Sequence, residues 1–149
     1  MTDLFWMTEA YNLAITAREQ GEVPVGAVIV NEHNQLIGRG WNQVIQTNDP
    51  SAHAEIVAIR DAANHLNNYR LNNTTLYVTL EPCCMCAGAL VHARIKRLVF
   101  ATRDIKAGAA GSAFNLMHST HLNHQVQIDE GFMQQACASL LVDFFTSRR

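Results

Sequence analysis

The fold is decided by the stretch from Thr75 to Cys86, which reads TLYVTLEPCCMC. Its first six residues, Thr75 to Leu80, are β-branched, aromatic or aliphatic and predict a buried strand. Pro82 suits the first turn of a helix, where a missing N–H costs little, and Cys84 to Ala93 is predicted to be that helix. A strand that passes so directly into a helix is typical of an α/β fold.

The sequence on either side alternates between further helices and strands. Helices are predicted at residues 3–20, 52–66 and 131–145, and strands at Val23–Val30, Gln35–Asn42, Leu98–Ala101 and Val126–Ile128. In the second of these helices, the apolar residues that share one side, which we expect to face the core, are Ile56, Ile59, Ala63 and Leu66. Asn31 to Asn34 are predicted to form a turn, which makes Gln35–Asn42 the hairpin partner of Val23–Val30. The strands separated by helices predict a mostly parallel core sheet with helices on its faces. Ligands bind such sheets where strands end and helices begin.

Length and composition indicate one globular domain. The 149 residues are enough for a single compact core, so we take residues 1–149 as one domain. No run of about 18 apolar residues exists that would span a membrane. The N-terminus also lacks the basic start and long apolar stretch of a signal peptide. We therefore expect a cytoplasmic protein without a membrane partner.

The charge of the chain gives only a weak indication of a nucleic-acid partner. A net charge of −2 provides no overall attraction to phosphates. Five of the eleven basic residues nevertheless fall in one short stretch, Arg94, Lys96, Arg97, Arg103 and Lys106. A solvated surface patch is the commoner meaning of such a cluster.

The chemistry is indicated by His53-Ala54-Glu55 followed, after a helix and a strand, by Pro82-Cys83-Cys84-Met85-Cys86. A catalytic zinc needs three protein ligands and one open position for water. Cys83 and Cys86 are three residues apart, so their sulfurs share one face of a helix, and His53 supplies the third ligand. The positive end of that helix also stabilises thiolates.

Glu55 separates a catalytic site from a merely metal-binding one. Zinc lowers the pKa of a bound water from 15.7 to about 7 and so provides hydroxide at neutral pH. Deamination also needs a proton on the ring nitrogen beside the attacked carbon and another on the departing ammonia. One carboxylate next to the metal-bound water carries both, and such acid–base help accelerates a reaction roughly 10²–10⁴-fold.

Two other interpretations of the cysteines remain open. Cys-x-x-Cys by itself is also found in redox pairs and in structural zinc sites. A structural site would need a fourth ligand, but Cys84 points away from Cys83 on a helix and His92 lies on an apolar face. His118, His121 and His124 have the composition of a metal cluster, although a surface loop is the better interpretation.

The combined H-x-E and P-C-x-x-C signature is the one found in zinc-dependent deaminases. Beyond it, the chain resembles the bacterial tRNA-specific adenosine deaminases over nearly its whole length. The matching blocks are Glu22–Val28, Gly40–Asn42, Ala52–Glu55, Asn68–Leu71, Leu76–Cys83, Met85–Ala89, Gly108–Ser112 and Asp143–Phe145. Two positions depart from the family pattern, Ala107 in place of threonine and Cys84 in place of a small aliphatic residue.

The resemblance implies a fold and a cofactor. The fold is a three-layer α/β/α arrangement of the cytidine-deaminase type, with a five-stranded mixed sheet flanked by helices. The family is implied to be homodimeric, with one Zn²⁺ per subunit held by His53, Cys83 and Cys86. By the same resemblance, Glu55 is the catalytic proton carrier.

The resemblance also implies how the substrate is bound. Asn42 and the Ala54 backbone N–H are expected to hold the flipped-out purine. Asp104 and Lys106 match the segment that contacts the anticodon stem-loop. The residues matching an RNA-facing C-terminal helix are Phe145, Arg148 and Arg149.

The expected function is therefore hydrolytic deamination of adenosine to inosine at the wobble position of an arginine tRNA anticodon. One alternative is a deaminase of free nucleosides or bases, of the cytidine or guanine type. The other is a zinc-stabilised RNA-binding protein without catalysis. The near-neutral charge favours free substrates slightly, whereas the extended sequence blocks favour tRNA.

Overall fold

A computed structural model describes residues 2–148. The helices are α1 (Asp3–Glu19), α2 (Val44–Thr47), α3 (Ala54–Leu66), α4 (Cys84–His92) and α5 (Gln134–Thr146). The strands are β1 (Gly26–Val30), β2 (Leu36–Trp41), β3 (Thr75–Leu80), β4 (Arg97–Thr102) and β5 (Gln127–Glu130). A short 3₁₀ turn, Leu116–His118, lies in the long connection between β4 and β5. Every helix within residues 2–148 is too short or too polar to cross a membrane.

The five strands form one mixed sheet in the order β2-β1-β3-β4-β5. β1 pairs antiparallel with both β2 and β3, while β3 pairs parallel with β4 and β4 parallel with β5. The prediction of a mostly parallel sheet is therefore wrong, and the mixed sheet implied by the family resemblance is confirmed. The antiparallel β1–β2 pair is the predicted hairpin, closed by the tight turn from Asn31 to Gln35. The parallel prediction fails at β1 and β3, which are separated by a helix and nevertheless pair antiparallel.

Helices cover both faces of the sheet, which confirms the three-layer α/β/α arrangement. One face packs against α1 and α5 through a cluster that includes Met7, Ala10, Val28, Val99 and Cys137. The other face packs against α3 and α4 through a larger cluster that includes Ala58, Ala87, Leu90, Val78 and Phe100. Strands covered on both faces bury continuous apolar runs, as β1 does at every residue.

Helix α3 packs on β2 through small residues, which corrects part of the predicted apolar side. Its most buried residues are Ala54, Glu55, Ala58 and Ala62. Of the four predicted residues, Leu66 is exposed, while Ile56, Ile59 and Ala63 are partly buried against the core. A Cβ at Gly40 of β2 would lie 2.5 Å from the Ala54 carbonyl oxygen, so only glycine permits this approach. The close contact fixes the first turn of α3 against the end of β2.

Several predicted boundaries shift for identifiable reasons. β1 begins at Gly26 rather than Val23, because the Val25 N–H bonds the Val23 carbonyl in a turn. α3 begins at Ala54 rather than residue 52, because His53 is extended. α5 begins at Gln134 rather than residue 131, because Met133 has a left-handed φ of 58°. β5 is shifted to Gln127–Glu130, and the short helix α2 was not predicted.

A cluster of ion pairs links the start of α1 to strands β4 and β5, which come much later in the sequence. Both Asp3 carboxylate oxygens accept hydrogen bonds from Arg97 of β4, at 2.8 and 2.9 Å. Arg97 also donates to Asp129 of β5 at 2.8 Å, and the Tyr77 hydroxyl donates to Asp3 at 2.7 Å. The Arg97 hydrogen bond is the main cause of a pKa of Asp3 below its ordinary value.

Asp3→Asn should lower the free energy of unfolding by roughly 1–2 kcal/mol at pH 7, because Arg97 loses a partly buried partner. A carboxyl whose pKa is lowered by folding stabilises the protein above its ordinary pKa, and the contribution disappears as pH falls through the lowered pKa. The difference between Asp3→Asn and wild type should therefore shrink below about pH 4.

Urea unfolding at a series of pH values measures this difference. Glu32→Gln is the control. The Oε1 atom of Glu32 lies 3.8 Å from the Nε2 atom of His33, and both side chains are exposed. A constant difference between Asp3→Asn and wild type down to pH 3 would contradict the ion-pair explanation.

Candidate active site

Two helix starts meet at one end of the sheet and carry the predicted metal ligands. His53 is the N-cap of α3 and Cys83 is the N-cap of α4. Both residues have extended backbones, and neither side chain caps its own helix. Their side chains are therefore free to face each other, and Cys86 joins them from the first turn of α4.

The three side chains fit a single tetrahedral ion. The Nδ1 atom of His53 lies 3.6 Å from the Sγ of Cys83 and 3.6 Å from the Sγ of Cys86. A tetrahedral zinc with Zn–S bonds of about 2.3 Å and a Zn–N bond of about 2.0 Å requires N···S separations of about 3.5 Å. Within residues 2–148 this is the only such group of metal-binding side chains.

Hydrogen bonds among the three side chains shift the pKa of each one. A hydrogen bond from Cys86 lowers the pKa of Cys83 to about 3, and the His53 ring adds to the same shift. The same bond, together with burial, raises the pKa of Cys86 above its ordinary value. The pKa of His53 is raised chiefly by its hydrogen bond with Cys83. Metal binding must displace the protons on Cys86 and His53, so metal affinity should increase with pH.

Glu55 is buried beside this group, in the first turn of α3. Its side chain is 4% exposed, and burial raises its pKa to about 7. The His53 ring and the Cys86 side chain act in the opposite direction and lower the pKa of Glu55. A carboxyl with a pKa near neutrality can both accept and donate a proton under physiological conditions, which general acid–base chemistry requires.

Asn42 lies against the start of α3. Its Oδ1 accepts a hydrogen bond of 2.8 Å from the Ala54 N–H, so Asn42 caps the helix from the end of β2. The first N–H groups of a helix lack partners within the helix, and this bond satisfies one of them. The Ala54 N–H predicted to hold a base is therefore engaged by Asn42.

Asp104 and Lys106 lie on the loop that follows β4, next to the ligand segment. The Asp104 Oδ1 accepts the backbone N–H groups of Lys106 and Ala107, which forms a compact turn. The Ala109 N–H donates to the Pro82 carbonyl at 2.8 Å, so the loop is joined to the residue before Cys83. The structure thus brings this loop beside the metal ligands, with the Lys106 side chain exposed.

The C-terminal residues predicted to contact RNA lie on and after α5, not on the loop that carries Asp104 and Lys106. Phe145 is 49% exposed on α5. The Arg148 guanidinium lies 4.0 Å from the ring centroid of Phe144 and donates to the carbonyl of Gly21, after α1. These contacts fix Arg148 near the α1–β1 turn, and Arg149 lies outside the described residues.

Sequence reasoning missed two buried glutamates near the site. Glu22 accepts hydrogen bonds from the N–H groups of Ile45 and Gln46 and so holds α2, just after Asn42. Glu81 accepts hydrogen bonds from the loop that carries Asp104. A charged residue at the boundary of an apolar strand is an available signal, because buried carboxylates need partners. Their partners, however, are far away in sequence.

Within residues 2–148, the other cysteines and histidines do not form a second metal site. Cys84 is exposed, and Cys137 is buried on the inner face of α5. The ring nitrogens of His118 and His124 bond the carbonyls of Ala110 and Ile95, respectively. The prediction that these histidines belong to an ordinary loop agrees with those contacts.

Comparison with known proteins identifies the family. Residues 1–102 match a family model described as the cytidine and deoxycytidylate deaminase zinc-binding region. A tRNA-specific adenosine deaminase of Haemophilus influenzae is 50% identical over 143 residues, covering 96% of this chain and 83% of the relative. The chain belongs to the tRNA-specific adenosine deaminases. Members of this family are hydrolytic deaminases, and zinc is the cofactor.

Solved structures extend the comparison with the deaminases. One comes from a study of A-to-I editing by tRNA:A34 deaminases at the wobble position; it has a TM-score of 0.89 and 39% identity and covers 92% of this chain and 99% of that chain. A guanine deaminase of Bacillus subtilis has a TM-score of 0.68 and 31% identity, covering 99% and 94%. The tRNA deaminase is the more similar of the two in both sequence and shape.

Replacing one ligand cysteine should remove the metal, whereas replacing its neighbour should not. Cys83→Ser is expected to retain less than about a tenth of the zinc of the wild type, because serine replaces a thiolate at about 2.3 Å with a poor zinc ligand. Cys84→Ser is the matched control, because Cys84 is adjacent but exposed and outside the group. Elemental analysis of the purified proteins measures both. Full zinc in Cys83→Ser would contradict the assignment.

Proposed function

We propose that this protein deaminates adenosine to inosine at the wobble position of a tRNA anticodon, and specifically of an arginine tRNA. The observation that carries the proposal is the pairing of a three-ligand zinc site with a buried carboxyl group beside it. The names of the relatives support the nucleic-acid substrate. Because such a substrate is cytoplasmic, we also propose a cytoplasmic location and one catalytic domain over residues 1–149.

His53, Cys83 and Cys86 are the proposed zinc ligands. Bound there, zinc would supply an activated water, with its pKa lowered to about 7. Glu55 would carry one proton of the attacking water to N1 of adenine and the other to the amino group on C6, so that a C6–O bond forms, the C6–N bond breaks and ammonia leaves. Burial suits Glu55 to this task, because it brings the pKa of the carboxyl to about 7.

Asn42 and Ala54 are the proposed base-binding groups. The Asn42 side chain already orients its oxygen towards the Ala54 N–H, so its amide N–H₂ is left to donate to an acceptor on the purine. The Ala54 N–H contributes to this pocket through Asn42, and binds a base directly only if that hydrogen bond opens.

The RNA is proposed to lie across the loop that carries Asp104 and Lys106. Exposed basic side chains there supply phosphate contacts, and affinity should decrease as salt concentration rises, because releasing counterions into a more concentrated solution is less favourable. Phe145, Arg148 and Arg149 are proposed to extend this contact along the C-terminal helix. The exposed ring of Phe145 suits unstacked bases, which are recognised by stacking.

A deaminase of free bases is the second candidate, because a guanine deaminase shares the fold at 31% identity. Both candidates need the same zinc site, so the substrate separates them. An anticodon stem-loop with adenosine at the wobble position, the same loop with the adenosine moved by one position, and free guanine, cytidine and adenosine form a suitable panel. Turnover of free compounds alone would overturn the tRNA proposal.

Glu55→Gln should lower kcat on the stem-loop by about 10²–10⁴-fold, because glutamine cannot carry protons. Zinc content should remain at the wild-type level, since Glu55 is not a ligand. Inosine formation is measured by chromatography of digested RNA. Glu19→Gln is the control: it removes an exposed carboxylate at the end of α1 and should leave kcat unchanged. Wild-type activity in Glu55→Gln would remove Glu55 from the mechanism.

We further propose a homodimer. Gly88 supports it, because α4 has no neighbour within 4 Å of the position that a Cβ would occupy there. Val91, Leu116 and Leu122 line a shallow cleft beside it. Sedimentation velocity should give a mass of twice the chain, and Gly88→Trp should shift the protein to a monomer. A wild-type protein that sediments as a monomer at micromolar concentration would contradict the dimer.

A further inference from the structure

Glu81 is a buried carboxylate that takes no part in the proposed chemistry. It follows β3 directly, two residues before the ligand Cys83, and is 2% exposed. Its own N–H donates to the Thr102 carbonyl at the end of β4. A charged group buried to this degree needs compensating hydrogen bonds. Within residues 2–148, the hydrogen bonds to the Glu81 side chain all come from one loop.

Four donors of residues 104–112 bond the Glu81 carboxylate. The Asp104 N–H donates to Oε1 at 3.1 Å, and the N–H groups of Ala110 and Ser112 donate to Oε2 at 2.9 and 3.2 Å. The Ser112 hydroxyl donates to Oε1 as well. An ionised carboxylate accepts only, with room for about four hydrogen bonds, so this set of donors matches it.

The loop also packs tightly around the carboxylate. A Cβ added at Gly108 would overlap the carboxyl group of Glu81, so glycine is required for the close approach. Gly108 donates its N–H to the Asp104 carbonyl at 2.8 Å, which closes the turn that presents Lys106. The conformation of residues 104–112 is therefore set from inside by one side chain.

We propose that Glu81 is a positioning residue for RNA binding: it holds residues 104–112 at a fixed place relative to the metal ligands. This inference rests on the proposed tRNA function. The backbone from Glu81 through Pro82 to Cys83 connects the side chain that holds the loop to a proposed metal ligand. The Ala109 N–H of the loop also donates to the Pro82 carbonyl. Asp104 and Lys106 reach the RNA in the right place because Glu81 fixes their loop.

Glu81→Gln tests the proposal with little change in shape. The glutamine N–H₂ would face backbone N–H donors in either orientation. At the Oε2 position two hydrogen bonds are lost, and at the Oε1 position the Asp104 N–H loses its acceptor while the Ser112 hydroxyl can turn to accept. KM for the anticodon stem-loop should increase at least 10-fold, with kcat within about threefold and zinc content unchanged. Electrostatics alone predicts the opposite effect, a lower KM, because losing a negative charge favours binding to an anionic RNA.

Two further variants complete the test. Glu130→Gln removes one negative charge nearby, from an exposed carboxylate that bonds the Arg103 side chain, and should leave KM unchanged or slightly lower. Gly108→Ala disturbs the same contact from the loop side and should increase KM as Glu81→Gln does. It keeps the proposal testable if Glu81→Gln does not fold.

The wild type is assayed first, and its turnover of the stem-loop decides the proposed function separately. An unchanged KM in Glu81→Gln or, if that variant does not fold, in Gly108→Ala would overturn the positioning role. So would a loss of zinc and kcat without a change in KM, since Glu81 would then act only through the ligand Cys83.

Discussion

The site depends on two helices beginning at one point in space. His53 and Cys83 each precede a helix, and their side chains must come within about 3.5 Å to share an ion. Metal–ligand bonds vary by only about 0.2 Å, so neither helix can slide along the sheet. The contact of α3 with Gly40 of β2 fixes one of them. The direct passage of β3 into α4 fixes the other.

This constraint explains what the sequence could predict. The Cys83–Cys86 pair is encoded locally, since three residues on a helix put both sulfurs on one face. β3 was predicted with its observed bounds, Thr75 to Leu80, because all its residues are β-branched, aromatic or aliphatic. The pairing of His53 with the cysteines was predicted because both segments lie at helix starts, which gather at one sheet edge, and because together they form the H-x-E and P-C-x-x-C signature.

The parts that could not be predicted depend on contacts between distant residues. The hairpin of β1 with β2 was predicted from the turn between them, but no periodicity in β1 indicates that its other neighbour, β3, is also antiparallel. The buried side of α3 was predicted only in part, for a similar reason. Its alanines face the glycines of β2. Alanines that alternate with isoleucines do not indicate the more buried side of a helix until the partner strand is known.

The three buried glutamates near the site differ in how their carboxylates are satisfied. Glu22 accepts two backbone N–H groups and Glu81 accepts four donors, so both are used to hold segments of chain. Glu55 has burial as the main influence on its pKa, which lies at about 7. The oxygens of Glu22 and Glu81 are occupied by donors from other segments, so these two side chains fix the chain around them. Glu55 instead lies beside the candidate metal ligands, where a carboxyl group with a pKa of about 7 can exchange a proton. The three glutamates therefore differ in what the fold places around each carboxyl group.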